Sequence, residues 1–154
     1  MAKNTAENKL SKELRSKLNE KDKIGILSAV DTNSVPNMTL IVFFISKDEE
    51  SILFAIDKEN PCYKNLVKNK KVVFGIYDND NFCYKIVGRA GVVKAPSDTH
   101  PMMNIVRLDV ITIQEETFPY MRVTNGIAIE YLDAKTTRFG NAMFKELKKV
   151  AAEL

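Results

Sequence analysis

The residues best able to do chemistry in this chain gather at Asn60–Lys71, NPCYKNLVKNKK. Asn60 is a good helix N-cap, and Pro61 suits the first helical position, where its missing N–H costs nothing. A helix N-terminus presents unpaired N–H groups and a partial positive charge. Lys64, Lys68, Lys70 and Lys71 lie on or just beyond this helix. Such a group can hold an anion, phosphate above all, and it also suits a solvated basic face. Cys62 stands at the helix N-terminus, which lowers a thiol pKa, although a half-buried structural cysteine is the plainer reading.

Other candidates are scattered. Thr39 is the one polar residue within the apolar run Met38–Ile45, and a buried hydroxyl needs a hydrogen-bond partner. His100 is the only histidine; beside Pro101 it reads as a surface or capping residue at a helix start. A single histidine rules out a His-built zinc site and a double-His haem. Arg122, Tyr120 and Tyr131 can reach a ligand held by a partner, or simply pack. The sequence has no Ser–His–Asp set, Gly-rich phosphate loop or nucleophile elbow.

These residues need a scaffold, and 154 residues suit one domain over 1–154. The net charge of +3 permits a locally positive cleft but is too small to argue for nucleic acid. No apolar run reaches the length of a membrane span, and Met1–Lys12 lacks the apolar core of a signal peptide. Cys62 and Cys83 therefore read as thiols in a reducing cytoplasm.

Leu10, Leu14 and Leu18 form one helical stripe. Short strands follow at Ile24–Val30, Met38–Ile45 and Ile52–Ile56, with turns at Asp31–Ser34 and Lys47–Glu50. The near-continuous apolar character of Met38–Ile45 predicts a strand covered on both faces. Tyr63, Leu66 and Val67 give the inner face of the Asn60 helix. Val72–Tyr77 and Phe82–Ala95 are the fourth and fifth strands, the latter bent at Gly88 and Gly91. Asp98–Leu108 reads as another helix, Ile111–Tyr120 as a loop with a short strand, and Ile127–Leu132 as the sixth strand. Phe144, Leu147, Ala151 and Leu154 mark a C-terminal amphipathic helix. The class is mainly β: a barrel of short strands with flanking helices.

Four segments in this order resemble the FMN-binding split barrels of the pyridoxamine-phosphate-oxidase-like superfamily, of the general-stress and nitroimidazole-resistance type. Ile24–Asn37 resembles the opening strand and turn "D-x-x-G-x-P", with Asp31 and Pro36 in register and Ser34 in place of glycine. Ile52–Ile56 resembles the "l-y-f-a-t" strand. Tyr63–Val72 resembles "K-x-x-N-L-x-x-N-P-x-V" at Asn65, Leu66, Asn69 and Val72. Tyr84–Val92 matches "v-x-G-x-a-x-v" at Gly88 and Ala90.

The resemblance implies a six-stranded split barrel working as a homodimer, with FMN at the interface. By position, Thr39 and Leu40 would flank the flavin ring, with Ala55 and Ile56 behind it. Asn60, Cys62, Tyr63 and Lys64 would surround the phosphate, and Arg122 could reach the partner's flavin. The family's Lys/Arg–Ser/Thr clamp is replaced by Pro61 and Cys62, so Lys64 or Lys58 would supply the charge. The implied activity is that of a flavin-dependent oxidoreductase acting on a small redox substrate. The alternative is a non-catalytic protein of the same fold that binds flavin, deazaflavin or haem.

Overall fold

The structure, a computed structural model, describes residues 6–154; the first five residues of the polar N-terminal stretch lie outside the described residues. The elements run β1 Ala6–Glu7, α1 Lys12–Leu18, β2 Gly25–Val30, β3 Pro36–Ile41, β4 Phe43–Ser46 and β5 Ser51–Asp57. They continue as α2 Pro61–Lys68, β6 Lys71–Asp78, β7 Phe82–Lys94, β8 Met103–Glu115 and α3 Ala134–Glu153. The strands pair antiparallel in the order β3-β2-β6-β7-β8-β5-β4, and β1 adds to β8.

This order dictates the shape. β3 and β4 are the two opposite edges of the sheet, yet only Val42 separates them in the chain. The sheet must therefore curl until its edges nearly meet, giving a barrel split at Val42. The curl is eased at Gly88, where the β7–β8 register shifts. A Cβ there would lie 2.7 Å from the Asp109 carbonyl oxygen, so only glycine lets the strands approach this closely.

Alternation along the strands sends one set of side chains inside. Leu27, Phe54, Phe74, Ile86 and Leu108 fill the barrel with Leu10, Leu14 and Leu18 of the N-terminal stripe and Cys62 and Leu66 of α2. A second cluster lies outside β4 and β5, where Phe43, Ile45, Leu53, Ala55 and Ile105 meet Met143, Phe144, Leu147 and Val150 of α3. β4 is thus buried on both faces, as the apolar run predicts. β3 is not: Met38 is 74% and Leu40 52% exposed, because no helix covers the outer side of that edge.

Four further expectations are corrected. Asp98–Leu108 is not a helix: residues 96–102 form a loop, and from Met103 the chain is strand β8. The cap-like Asp98 and Thr99 serve a distant helix instead. Their backbone N–H groups donate to the Glu146 carboxylate at 2.6 and 3.0 Å, and the Thr99 hydroxyl donates at 2.6 Å. Pairing with both β5 and β7 then overrides the local helix signal. Ile127–Leu132 is not a strand, and its expected place in the sheet is taken by β8. It lies in an extended strap over 116–133, pinned where the Asn81 N–H donates to the Val123 carbonyl and the Val123 N–H donates to Asn81 Oδ1. On α2, Val67 is 43% exposed, and Cys62 takes its inner position. The sheet path holds seven strands, plus β1, rather than six.

Candidate functional site

The split at Val42 leaves a gap between β3 and β5, and α2 begins at that gap. Asn60 closes its inner end with both ends of one amide. Its Oδ1 accepts from the Cys62 N–H at 2.9 Å, capping the helix, and its Nδ2 donates to Thr39 Oγ1 at 2.9 Å. The Thr39 hydroxyl thereby gains the partner its half-buried position demands, and keeps its own proton to donate.

Beside this bridge is a cleft of about 160 Å3 lined by Leu40, Ile41, Val42, Phe43, Ala55, Ile56, Asp57, Asn60 and Met103. Of the residues expected to hold a cofactor, Leu40, Ala55, Ile56 and Asn60 come together here, and Thr39 is tied to Asn60 at its edge. Val42, Phe43 and Met103 join them unforeseen. Val42 and Phe43 belonged to a run read as one continuous strand, and Met103 to a segment read as helix.

The other expected residues are placed elsewhere. Cys62 is buried, with Sγ 3.9 Å from the Leu27 carbonyl oxygen, and burial pushes its thiol pKa up against a smaller lowering effect from the Ala29 backbone. It is a core cysteine. Tyr63 packs against the barrel interior, where its hydroxyl accepts from Nδ2 of the buried Asn104 at 2.9 Å. Lys64 is exposed and pairs with Glu59 at 2.9 Å. Arg122 lies on the strap, 3.8 Å from Asp80 in the β6–β7 turn. His100 is exposed in the 96–102 loop, edge-on to Phe139 at 5.7 Å, with Nδ1 accepting from the Met102 N–H.

A flat apolar ring suits the cleft, whose walls are aliphatic and thioether side chains with one aromatic. Its volume is below the roughly 300–1,000 Å3 of a complete small-molecule site. A phosphate is less well served. Within the first turn of α2, Pro61 has no N–H and the Cys62 N–H is taken by Asn60, while Asp57 and Glu59 are the nearest acids in the chain. Lys64 can meet a phosphate there only by leaving Glu59. Among the described residues, no group of three His, Cys, Asp or Glu side chains is placed to hold a metal ion.

Curled sheet and split together define a split barrel with a cleft at its open edge. A family model described as pyridoxamine 5'-phosphate oxidase matches residues 10–120, and the chain belongs to that family. No curated protein matches the chain. Among solved structures it is similar to a Lactobacillus delbrueckii protein assigned to the pyridoxamine 5'-phosphate oxidases, with TM-score 0.61 and 17% identity over 72% of this chain and 98% of that one. An FMN-binding protein of Syntrophomonas wolfei gives TM-score 0.55 and 19% identity over 64% and 80%. HutZ, the heme storage protein of Vibrio cholerae, gives 0.56 and 15% over 71% and 96%. At these identities the likeness is one of fold. Among the described residues, no helix is long and apolar enough to cross a membrane.

Proposed function

We propose that the chain is an FMN-binding oxidoreductase of this family, acting on a small redox substrate as a cytoplasmic homodimer formed by a single domain. The observation that carries the reading is the cleft at Val42, where Leu40, Ala55, Ile56 and Met103 form an apolar wall beside the Asn60–Thr39 bridge. A bound flavin would supply the electron-transfer chemistry. The protein's share is to hold the ring, exclude water from one face and fix its edge with polar groups. Among the described residues lining the cleft, Asp57 alone is ionisable, which accords with chemistry that needs no acid–base residue of the protein.

The dimer is supported by the outer face of the sheet. Pro36, Met38 and Leu40 of β3 stand beside Val30, Ser28 and Ile26 of β2, and Val73 of β6 and Val87 of β7 continue the middle row. The helices leave this face open: α1 packs on β4, α3 on β4 and β5, and α2 meets the interior through Cys62 and Leu66. An exposed apolar face of this kind supports an interface. A second copy docked on it, next to Leu40, would supply the missing wall of the cleft.

The visible spectrum of the purified protein, before and after adding FMN, tests the reading. A flavin spectrum, with fluorescence quenched on binding and FMN released on denaturation, is expected. A Soret band, or no quenching at saturating FMN, would overturn the cofactor while leaving the fold intact.

A further inference from the structure

α2 spans about 12 Å at ~1.5 Å per residue, and its far end differs in charge from the end at the cleft. Lys68, Lys70 and Lys71 fall within four residues there, and all are exposed. The β6–β7 register sets Lys71 directly opposite Arg89, also exposed. Two hydrogen bonds fix the segment: the Lys71 N–H donates to Asn69 Oδ1, and the Ala90 N–H donates to the Lys70 carbonyl at 2.7 Å. Like charges directly opposed on two strands are destabilising, and none of the four cations makes an ion pair among the described residues. Two carboxylates that flank the cluster are already engaged. Asp31 Oδ1 accepts from the Asn33 and Val35 N–H groups, and Asp109, opposite Arg89 on β8, is bonded by Arg107 Nε at 2.7 Å.

Two clefts flank this end of the helix. One, of about 250 Å3, lies between α2 and the β2–β3 turn and is lined by Thr32, Asn65, Lys68 and Asn69 together with Val30 and Asp31. The other, of about 230 Å3, lies between α2 and β7 and is lined by Leu66, Val67, Lys70, Ala90, Gly91 and Val92. Its floor is open at Gly91, where a Cβ would meet nothing within 4 Å. The first is rich in donors and the second is apolar, and the four cations lie between and beside them.

We propose that this end of α2 is a second ligand site, which takes the phosphate or pyrophosphate group of a phosphorylated small molecule. Lys68, Lys70, Lys71 and Arg89 supply the charge, Asn65 and Asn69 add amide groups, and the Val67–Val92 groove receives an apolar portion. The site stands whether or not the cleft at Val42 holds a flavin. Its lysines suit a phosphate as point charges, and Arg89 can meet two oxygens at once.

The test is calorimetric titration of the full chain with sodium pyrophosphate at low and at physiological ionic strength. Wild-type protein should bind saturably and more weakly in salt. Lys71→Ala/Arg89→Ala should weaken binding at least tenfold with an unchanged melting temperature. Lys148→Ala/Lys149→Ala, an exposed lysine pair on α3, should change it less than twofold. Repeating the titration with flavin-loaded protein separates the two sources of phosphate. Undiminished binding means a separate phosphorylated molecule; competition with FMN but not with riboflavin means that the cofactor's own phosphate sits here. Either result supports the site. Absence of saturable binding, or equal loss in the α3 variant, would overturn it. So would a double variant that binds pyrophosphate normally but dissociates the dimer, since the cations would then serve a partner's carboxylates.

Discussion

Asn60 Nδ2 donates to Thr39 Oγ1 at 2.9 Å across the open edge of the barrel, while Oδ1 of the same side chain caps α2 through the Cys62 N–H. One amide thus couples where the helix starts to where β3 ends up. Removing a cap costs about 0.5–2 kcal/mol, and a lost hydrogen bond about 1 kcal/mol more. Asn60→Ala should therefore destabilise by about 2 kcal/mol, Asn60→Ser, which keeps the cap, by about half of that, and Thr39→Val by about 1 kcal/mol. In urea unfolding the Asn60→Ala and Thr39→Val losses should be less than additive. Full additivity would show that the bridge contributes nothing.

Glu146 of α3 clamps the 96–102 loop, and pH should reveal the clamp. Burial alone would raise its carboxyl, but the Thr99 hydroxyl, the Asp98 and Thr99 N–H groups and Lys94 bring it down to about 2. An unfolded glutamate titrates near ~4.3, so between these values the unfolded chain binds the proton more readily. The stabilisation is therefore complete above about pH 4.3 and is lost as the pH falls to about 2. Glu146→Gln should cost about 1–3 kcal/mol at pH 7 and almost nothing near pH 2. Urea midpoints measured across that range check it, and a gap that stays constant with pH would contradict the clamp.

The barrel was legible up to Lys94 and much less so beyond it, for a physical reason. Through β7 the strands carry their own apolar runs or alternation, and most are closed by a turn or helix cap with its own chemistry. Asp31, for example, accepts two N–H groups of the β2–β3 turn. β8 has no such local signal at its start. Asp98, Thr99 and Pro101 look like a helix N-terminus, and only Glu146, about fifty residues on, shows what they are for. The apolar alternation of Ile127–Leu132 misleads in the opposite way, because a strand also needs a free edge, and β8 fills the place it would have taken. Within the cleft, Leu40, Ala55, Ile56 and Asn60 could be read from position. That Cys62 rather than Val67 turns inward could not, since it depends on the angle at which α2 enters the barrel.

The outer face of β3 gives the test of assembly. Met38 is the most exposed of its apolar residues and does not line the cleft. A charge there should disrupt a docked copy without touching the wall proposed to hold the ring. Light scattering at micromolar concentration should give twice 17.4 kDa for the wild type and a shift towards 17.4 kDa for Met38→Glu. A wild-type monomer would refute the dimer, and with it the second wall of the cleft.

The pairing of Lys64 with Glu59 at 2.9 Å turns the phosphate question at the α2 N-terminus into a measurable competition. If Lys64 serves the FMN phosphate, binding must first replace Glu59, an exposed partner worth about 0–1 kcal/mol. Glu59→Gln removes that competitor and a nearby negative charge together, so FMN affinity should rise about two- to fivefold. Lys64→Ala should lower it about tenfold or more, the loss expected for a charge-assisted hydrogen bond. Riboflavin lacks the phosphate, so neither substitution should move its affinity. Lys58→Ala, at the other lysine near the rim, tests the alternative donor in the same assay. If Glu59→Gln and Lys64→Ala leave FMN and riboflavin equally unaffected, the pair is a surface ion pair and the phosphate is held elsewhere. The Lys71–Arg89 cluster is then the first place to look, and the pyrophosphate competition experiment would decide it.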